Sequence, residues 1–251
     1  MRAWVYSDDM LCIEFLNERK YGYADLEGNI IIPPTYDYAT DFNEGFAIVC
    51  FFDQFNIQII NKHSDIVLSS TYPFDVISLS DKISEGLLCV NSDSGDNAGY
   101  IDVNGNIAIP LQFKFASAFS EGLARVCDES GLWGFIDTTG EYVIKPQFEM
   151  VGDFHEGIAA VYKTNSQKPY EEYYAGFINR EGTLIIDYKY NTFYSANPME
   201  DLSVLNKCNG LIEVLWESEG HVWRGYINDK NEIVFKIDLY ISHTSCTEHI
   251  H

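Results

Sequence analysis

Residues 121–148 read EGLARVCDESGLWGFIDTTGEYVIKPQF, and residues 86–113 read GLLCVNSDSGDNAGYIDVNGNIAIPLQF. Both run from Gly-Leu through Gly-Phe or Gly-Tyr to Ile-Asp, then a turn, then Ile-x-x-Pro or Ile-Pro, then Gln-Phe. Self-similarity of this kind is read before any local signal, because it sets the whole architecture. Followed outward, the opening Gly falls at Gly45, Gly86, Gly122, Gly157 and Gly210, with Met10 in that place in the first copy. Glu44, Glu85, Glu121 and Glu156 precede four of these glycines, and Asn209 precedes the fifth. A second landmark falls at Gly22, Gly99, Gly134, Gly176 and Gly225, with Gln58 in the second copy. Tyr23, Tyr100, Phe135, Phe177 and Tyr226 follow these glycines, and Asp25, Asp102, Asp137, Asn179 and Asn228 come two residues later. The second copy keeps this last position as Asn61.

Each unit reads as a three-stranded antiparallel meander. In the fourth copy the strands are Leu123–Cys127, Trp133–Asp137 and Tyr142–Lys145, rich in aromatic and β-branched residues. Thr138-Thr139-Gly140, Asn104-Gly105 and Glu27-Gly28 supply the positive φ that tight hairpins need. Pro146 cannot donate to a ladder and is expected to end the third strand. The patterned connection 147–154 is left open between a short fourth strand and a tight turn. One such meander cannot bury its own apolar face, so stability must come from stacking copies. The expected architecture is all-β: one domain over residues 1–251, with six units near 10–34, 45–70, 86–110, 122–146, 157–187 and 210–236. A propeller-like ring is favoured, with an open β-hairpin solenoid as the alternative.

Trp133-Gly134-Phe135-Ile136-Asp137, Gly140, Lys145-Pro146-Gln147-Phe148 and Phe154-His155-Glu156-Gly157 resemble the bacterial WG-repeat (KWG) family. The likeness spans residues 10–236, strongest in the third and fourth copies and weakest in the second and fifth. Only the fourth copy holds the Trp-Gly pair itself. The resemblance implies a β-rich repeat scaffold and brings no catalytic residues with it.

The formal net charge of −22, from 38 acids and 16 bases, would repel a phosphate backbone. Nucleic acid is therefore excluded as a partner, and the same field would speed encounter with a basic protein. No stretch approaches the roughly 18 apolar residues that span a bilayer, and the N-terminus turns polar too early for a secretory signal. A cytoplasmic protein without a membrane partner is the expectation; the charge also fits simple solubility.

The six cysteines show no C-x-x-C pair or zinc-like spacing. Cys50 and Cys127 share one repeat position and Cys12 and Cys89 another, which reads as small buried core residues rather than a metal or disulfide set. His243, His249 and His251 with Cys246 fall in a polar tail. Carboxylate pairs such as Asp8-Asp9 and Asp128-Glu129 read as solvated surface, and Asn91–Asn97 lacks the closing Glu of a calcium loop. The repeated Glu-Gly pair is expected to fix the turn between units. No cofactor and no metal are expected, and no nucleophile, base and orienter can be assembled, so an enzyme is not expected.

Two insertions break the repeat, around 162–175 and 188–208. They combine acids with tyrosines, which give large contact area at low entropy cost. Tyr170, Glu171, Glu172, Tyr173, Tyr194, Glu200 and Asp201 are the expected partner-binding residues, because rigid scaffolds carry function on loops. The expected function is a protein-binding module, in its concrete form an immunity or inhibitor protein that neutralises a basic toxin or effector. The alternative is a glycan- or small-ligand-binding repeat protein using Tyr23, Tyr100, Phe135, Phe177 and Tyr226 in equivalent pockets.

Overall fold

The computed structural model describes residues 2–3, 8–17, 19–52, 56–70, 74–75, 82–92, 96–164, 173–191, 207–218, 221–228 and 230–238. Among these residues there is no helix, and 24 strands form six four-stranded antiparallel sheets in chain order. The first holds β1 (Arg2–Ala3), β2 (Leu11–Phe15), β3 (Lys20–Ala24) and β4 (Ile30–Tyr36). The second holds β5 (Tyr38–Ala39), β6 (Phe46–Phe51), β7 (Asn56–Asn61) and β8 (Ile66–Ser70). The third holds β9 (Phe74–Asp75), β10 (Leu87–Ser92), β11 (Ala98–Asp102) and β12 (Ile107–Phe113). The fourth holds β13 (Phe115–Ala116), β14 (Ala124–Cys127), β15 (Trp133–Ile136) and β16 (Tyr142–Phe148). The fifth holds β17 (Met150–Val151), β18 (Ile158–Thr164), β19 (Tyr173–Asn179) and β20 (Leu184–Asn191). The sixth holds β21 (Lys207–Cys208), β22 (Leu211–Ser218), β23 (His221–Ile227) and β24 (Ile233–Asp238). Four antiparallel strands per repeat is the make-up of a propeller blade. The connection left open above is a short strand that begins the next sheet: β5, β13 and β17.

Two turns build each blade. Asn43 and Phe46 exchange backbone hydrogen bonds at 2.8 and 3.1 Å, and Glu44 and Gly45 between them have φ of 54° and 84°. Positive φ at both central residues defines the primed two-residue hairpin, which favours Gly at the second position. The same turn recurs at Glu85-Gly86, Glu121-Gly122 and Glu156-Gly157. In the first repeat Asp8 and Asp9 take these two positions, with φ of 56° and 62°, so Asp9 and not Met10 stands where the opening Gly falls elsewhere. The second turn is a longer loop closed by an Asp or Asn. The Asp102 side chain accepts the Asn104 and Asn106 N–H groups, each at 2.9 Å, and Asn228 accepts those of Lys230 and Glu232 at 3.0 and 2.9 Å. The residue two after the aromatic is thus a loop cap, satisfying donors that a tight turn leaves open.

The proline does not end the outer strand. β4, β12 and β16 run through Pro33-Pro34, Pro110 and Pro146. In the first repeat Tyr21 pairs Tyr36 while Tyr23 pairs Ile32, so four steps on β4 oppose two on β3. Proline is tolerated there because an edge strand at a bulge has no ladder bond to lose. The bulge closes onto the repeat glycine: a Cβ on Gly99 would lie 2.7 Å from the Ile109 and Pro110 carbonyl oxygens. In the second repeat Gln58 replaces that glycine, and β7 and β8 pair without a shift from Ile57 through Ile59.

The chain divides into two compact units, residues 1–131 with 135–142 and residues 132–134 with 143–251. In the first unit Cys12, Tyr23 and Ile32 of the first sheet pack on Ala47, Val49 and Ile60 of the second. Ile48 and Ile59 on the reverse of the second sheet pack on Leu88, Val90 and Ile101 of the third. The third sheet turns Cys89, Tyr100 and Ile109 toward Ala124, Val126 and Ile136 of the fourth. In the second unit Ala160, Phe177 and Ile186 of the fifth sheet meet Ile212, Val214 and Ile227 of the sixth. The equivalent outer-strand residue is buried at Ile32, Ile109, Ile144 and Ile186, but its counterpart Phe235 in the sixth sheet is 55% exposed. Glu213 and Arg224 form an ion pair across that same open face.

Candidate functional site

At one end of the sixth sheet the core face turns from aliphatic to aromatic. Trp216 continues the face that carries Ile212 and Val214, and packs with Tyr173 against the edge of that core. Trp223 lies directly across from Trp216 in the β22–β23 ladder, and Asp238 directly across from Trp223 on β24. The two indoles lie nearly parallel, 6.4 Å apart with planes at 19°, a cross-strand aromatic pair of the kind that locks hairpins. Tyr190 of the fifth sheet meets Trp216 edge-on at 6.2 Å. Its hydroxyl hydrogen-bonds the Asn231 side chain, and burial pushes its pKa up to about 12. His221 stands 6.0 Å from Trp223 and pairs through Nδ1 with Asp238 at 2.6 Å. Lys236 places its ammonium 3.8 Å from the Trp223 ring centre.

Both insertions reach this end of the second unit. Thr164 pairs Tyr173 across the β18–β19 ladder, and Tyr174 pairs Asn191, so residues 165–172 join the fifth sheet at Thr164 and Tyr173, and residues 192–206 leave it at Asn191. Tyr173, half-buried, is the expected partner residue that the structure places in the cluster. Tyr170, Glu171, Glu172, Tyr194, Glu200 and Asp201 lie outside the described residues. Trp216, Trp223, His221 and Asp238 are absent from the sequence-based site. Their signal is Trp216 and Trp223 placed symmetrically about Glu219-Gly220, the mark of two facing strand positions.

The repeated aromatics do not form ligand pockets. Tyr23, Tyr100, Phe135 and Phe177 are fully buried, and Tyr226 alone of that set reaches the surface, at 37%. The hydroxyls of Tyr23 and Tyr100 donate to the Thr40 and Ser117 carbonyls at 2.8 and 2.7 Å. These rings are core residues whose polar tip is satisfied by the next repeat. The repeated Glu is likewise structural. Glu44 accepts the backbone N–H groups of Glu85 and Gly86 at 2.6 and 2.7 Å, and Glu156 those of Asn209 and Gly210 at 2.7 and 2.9 Å. A primed turn points two successive N–H groups outward as an anion-binding concavity, and the preceding carboxylate fills it.

Cys12, Cys89 and Cys127 are buried and Cys50 is half-buried. Burial, and then Asp41, pushes the Cys12 thiol up to about 12. Among the described residues no group of three His, Cys, Asp or Glu side chains is placed to hold a metal ion. His243, His249, His251 and Cys246 lie outside those residues, as does part of Asn91–Asn97.

Stacked antiparallel blades joined by carboxylate-capped turns define a tandem β-repeat protein. The chain is a WG-repeat protein: the model of the WG containing repeat matches residues 21–51, 99–130, 133–165 and 176–197. Among solved structures, BamB from Moraxella catarrhalis is 12% identical, with 92% of this chain and 71% of that one covered and a TM-score of 0.44. A eukaryotic initiation factor is 9% identical over 91% of this chain and 62% of that one, TM-score 0.48. A protein of unknown function from Bacteroides caccae is 12% identical over 71% and 77%, TM-score 0.34. No curated protein matches the chain in sequence.

Proposed function

We propose that the chain is a non-enzymatic binding protein that captures a basic protein, most concretely an immunity or inhibitor protein that neutralises a cationic toxin or effector. The observation that carries this reading is the half-exposed cluster of Tyr173, Trp216 and Trp223, set at the sheet end that the two acidic, tyrosine-rich insertions reach. Interface hot spots are enriched in Trp and Tyr held on a rigid support, and the ladders of the fifth and sixth sheets supply that support. The charge of −22 supplies steering toward a cationic partner. Burial of the repeated rings removes the basis for a pocket in every repeat, so recognition is assigned to the fifth and sixth sheets.

The test is affinity capture of the tagged chain from its native cells at low and moderate salt, beside a variant with Glu171, Glu172, Glu200 and Asp201 changed to Lys. A basic protein retained at moderate salt by the parent chain and lost by the folded variant supports the reading. The same retention by both chains removes the insertions from the interface.

A further inference from the structure

We infer that the Trp223 ring, with Asp238 beside it, is a socket for a lysine or arginine side chain, and that Lys236 is the occupant the free protein supplies to itself. The inference rests on the basic-partner reading above and names the feature of the partner that the site would take. Lys236 Nζ lies 3.8 Å from the Trp223 ring centre, closer than Lys189 to Tyr190 at 4.9 Å or Arg180 to Phe154 at 5.9 Å. Tryptophan offers a cation the most favourable aromatic face. Asp238 stands on the same face of the sheet, directly across from Trp223, and brings a carboxylate next to the ring. His221 hydrogen-bonds that carboxylate through Nδ1 at 2.6 Å and so fixes where its charge is presented. Trp216, stacked nearly parallel to Trp223, backs the ring from the β22 side and holds it in place for an incoming side chain.

Such a site is already adapted to an ammonium group, since one is seated on it. The seated residue is exposed, and its charge sits at the end of a flexible stem. Displacing it exchanges one surface cation for another and uncovers no buried group. Lys236 then acts as an internal competitor, and its removal raises the affinity for an external cationic side chain. A purely structural Lys236, bridging β23 and β24 over the ring, predicts no such gain.

The experiment is calorimetric titration of the full chain with an oligolysine peptide at low and moderate salt, with tryptophan emission followed in parallel. Lys236→Ala is compared with Lys145→Ala, which removes one exposed positive charge from β16 and so matches the change in net charge. The expected result is that Lys236→Ala binds about five-fold tighter than Lys145→Ala at moderate salt, the scale of one cation–π contact. Adding Trp223→Leu to Lys236→Ala should abolish that gain. Equal affinities of the two single variants, or a gain that survives loss of Trp223, overturn the socket while leaving capture of a basic partner intact. Absence of any oligolysine binding at either salt overturns the socket and the basic-partner reading together.

Discussion

The carboxylate of Glu44 accepts the backbone N–H of Gly86 at 2.7 Å from 42 residues away. Its other oxygen takes the neighbouring Glu85 N–H, so one side chain holds the entire outward edge of the next repeat's turn. Glu85 in turn accepts the Gly122 N–H at 2.5 Å, and Asp8 the Gly45 N–H at the same distance. The turns at Glu44-Gly45 and Glu85-Gly86 are therefore both clamps and clamped elements, which ties neighbouring blades of the first unit together at their heads. Replacing Glu44 by Ala should lower stability by about 1 kcal/mol, the scale of exposed charge-assisted hydrogen bonds. Glu44→Gln should recover part of the loss, because its amide keeps one acceptor. Urea denaturation midpoints of the two variants give the comparison, and equal midpoints for parent and Glu44→Ala would remove the clamp from the account.

Burial differs between equivalent positions of the outer strands, and stability should follow it. Ile186 is 1% exposed against the sixth sheet, whereas Phe235 is 55% exposed. Ile186→Ala should cost about 2–4 kcal/mol, as large-to-small changes in packed cores do. Phe235→Ser should change stability by no more than about 0.5 kcal/mol, as surface substitutions do. Thermal unfolding of the pair decides between them, and a large loss at Phe235 would show that its ring is covered in solution.

The loop caps give the fold an acid-sensitive component. Hydrogen bonds, first from Asn106 to Asp102 and from Thr139 to Asp137, hold both carboxyls below the usual aspartate range. A carboxyl that is more acidic in the folded state binds fewer protons there than in the unfolded chain. Its contribution is complete above the ordinary aspartate value of about 3.9 and is lost as pH falls through the lowered folded value. Asn61, Asn179 and Asn228 cap the equivalent loops without a titrating group. Asp102→Asn and Asp137→Asn should therefore keep most of the stability at pH 7 and flatten its decline between about pH 4 and pH 2. Denaturation midpoints across that range provide the check.

Thiol reactivity should report the blades directly. With the Cys12 thiol pushed up to about 12, only about one molecule in ten thousand carries the reactive thiolate at pH 8. Iodoacetamide should label half-buried Cys50 ahead of Cys12 in the native protein, and both rapidly in urea. Mass spectrometry of labelled peptides reads the order, and early native labelling of Cys12 would contradict its place between the first two sheets.

Much of the fold was legible because its determinants are local and repeated. Trp133-Gly134-Phe135-Ile136-Asp137 carries a buried aromatic, a glycine pressed against the outer-strand backbone and a loop cap in five residues, and each recurs at a fixed offset. The strand count was less legible: β13 and β17 are two residues long, and an apolar pair followed by a turn does not declare whether it pairs. Pro146 was misleading because the outer strand runs on through it, as β4 and β12 run through Pro33 and Pro110 at register shifts, which are a property of the pairing and not of the residue. The aromatic end of the sixth sheet lay hidden for a different reason. Trp216, Trp223, His221 and Asp238 come from three strands and have no counterpart in the other repeats, so no period points to them. The fully buried Tyr23 and Tyr100 show the converse, since recurrence marked a need of the core and not a site.

The most direct test of the binding account is hydrogen exchange of the chain alone and in complex with the basic protein it retains. New protection is expected in β19, β22 and β23, centred on Tyr173, Trp216 and Trp223, with the first three sheets unchanged. Protection confined to the first three sheets, with those strands exchanging as in the free chain, would contradict it.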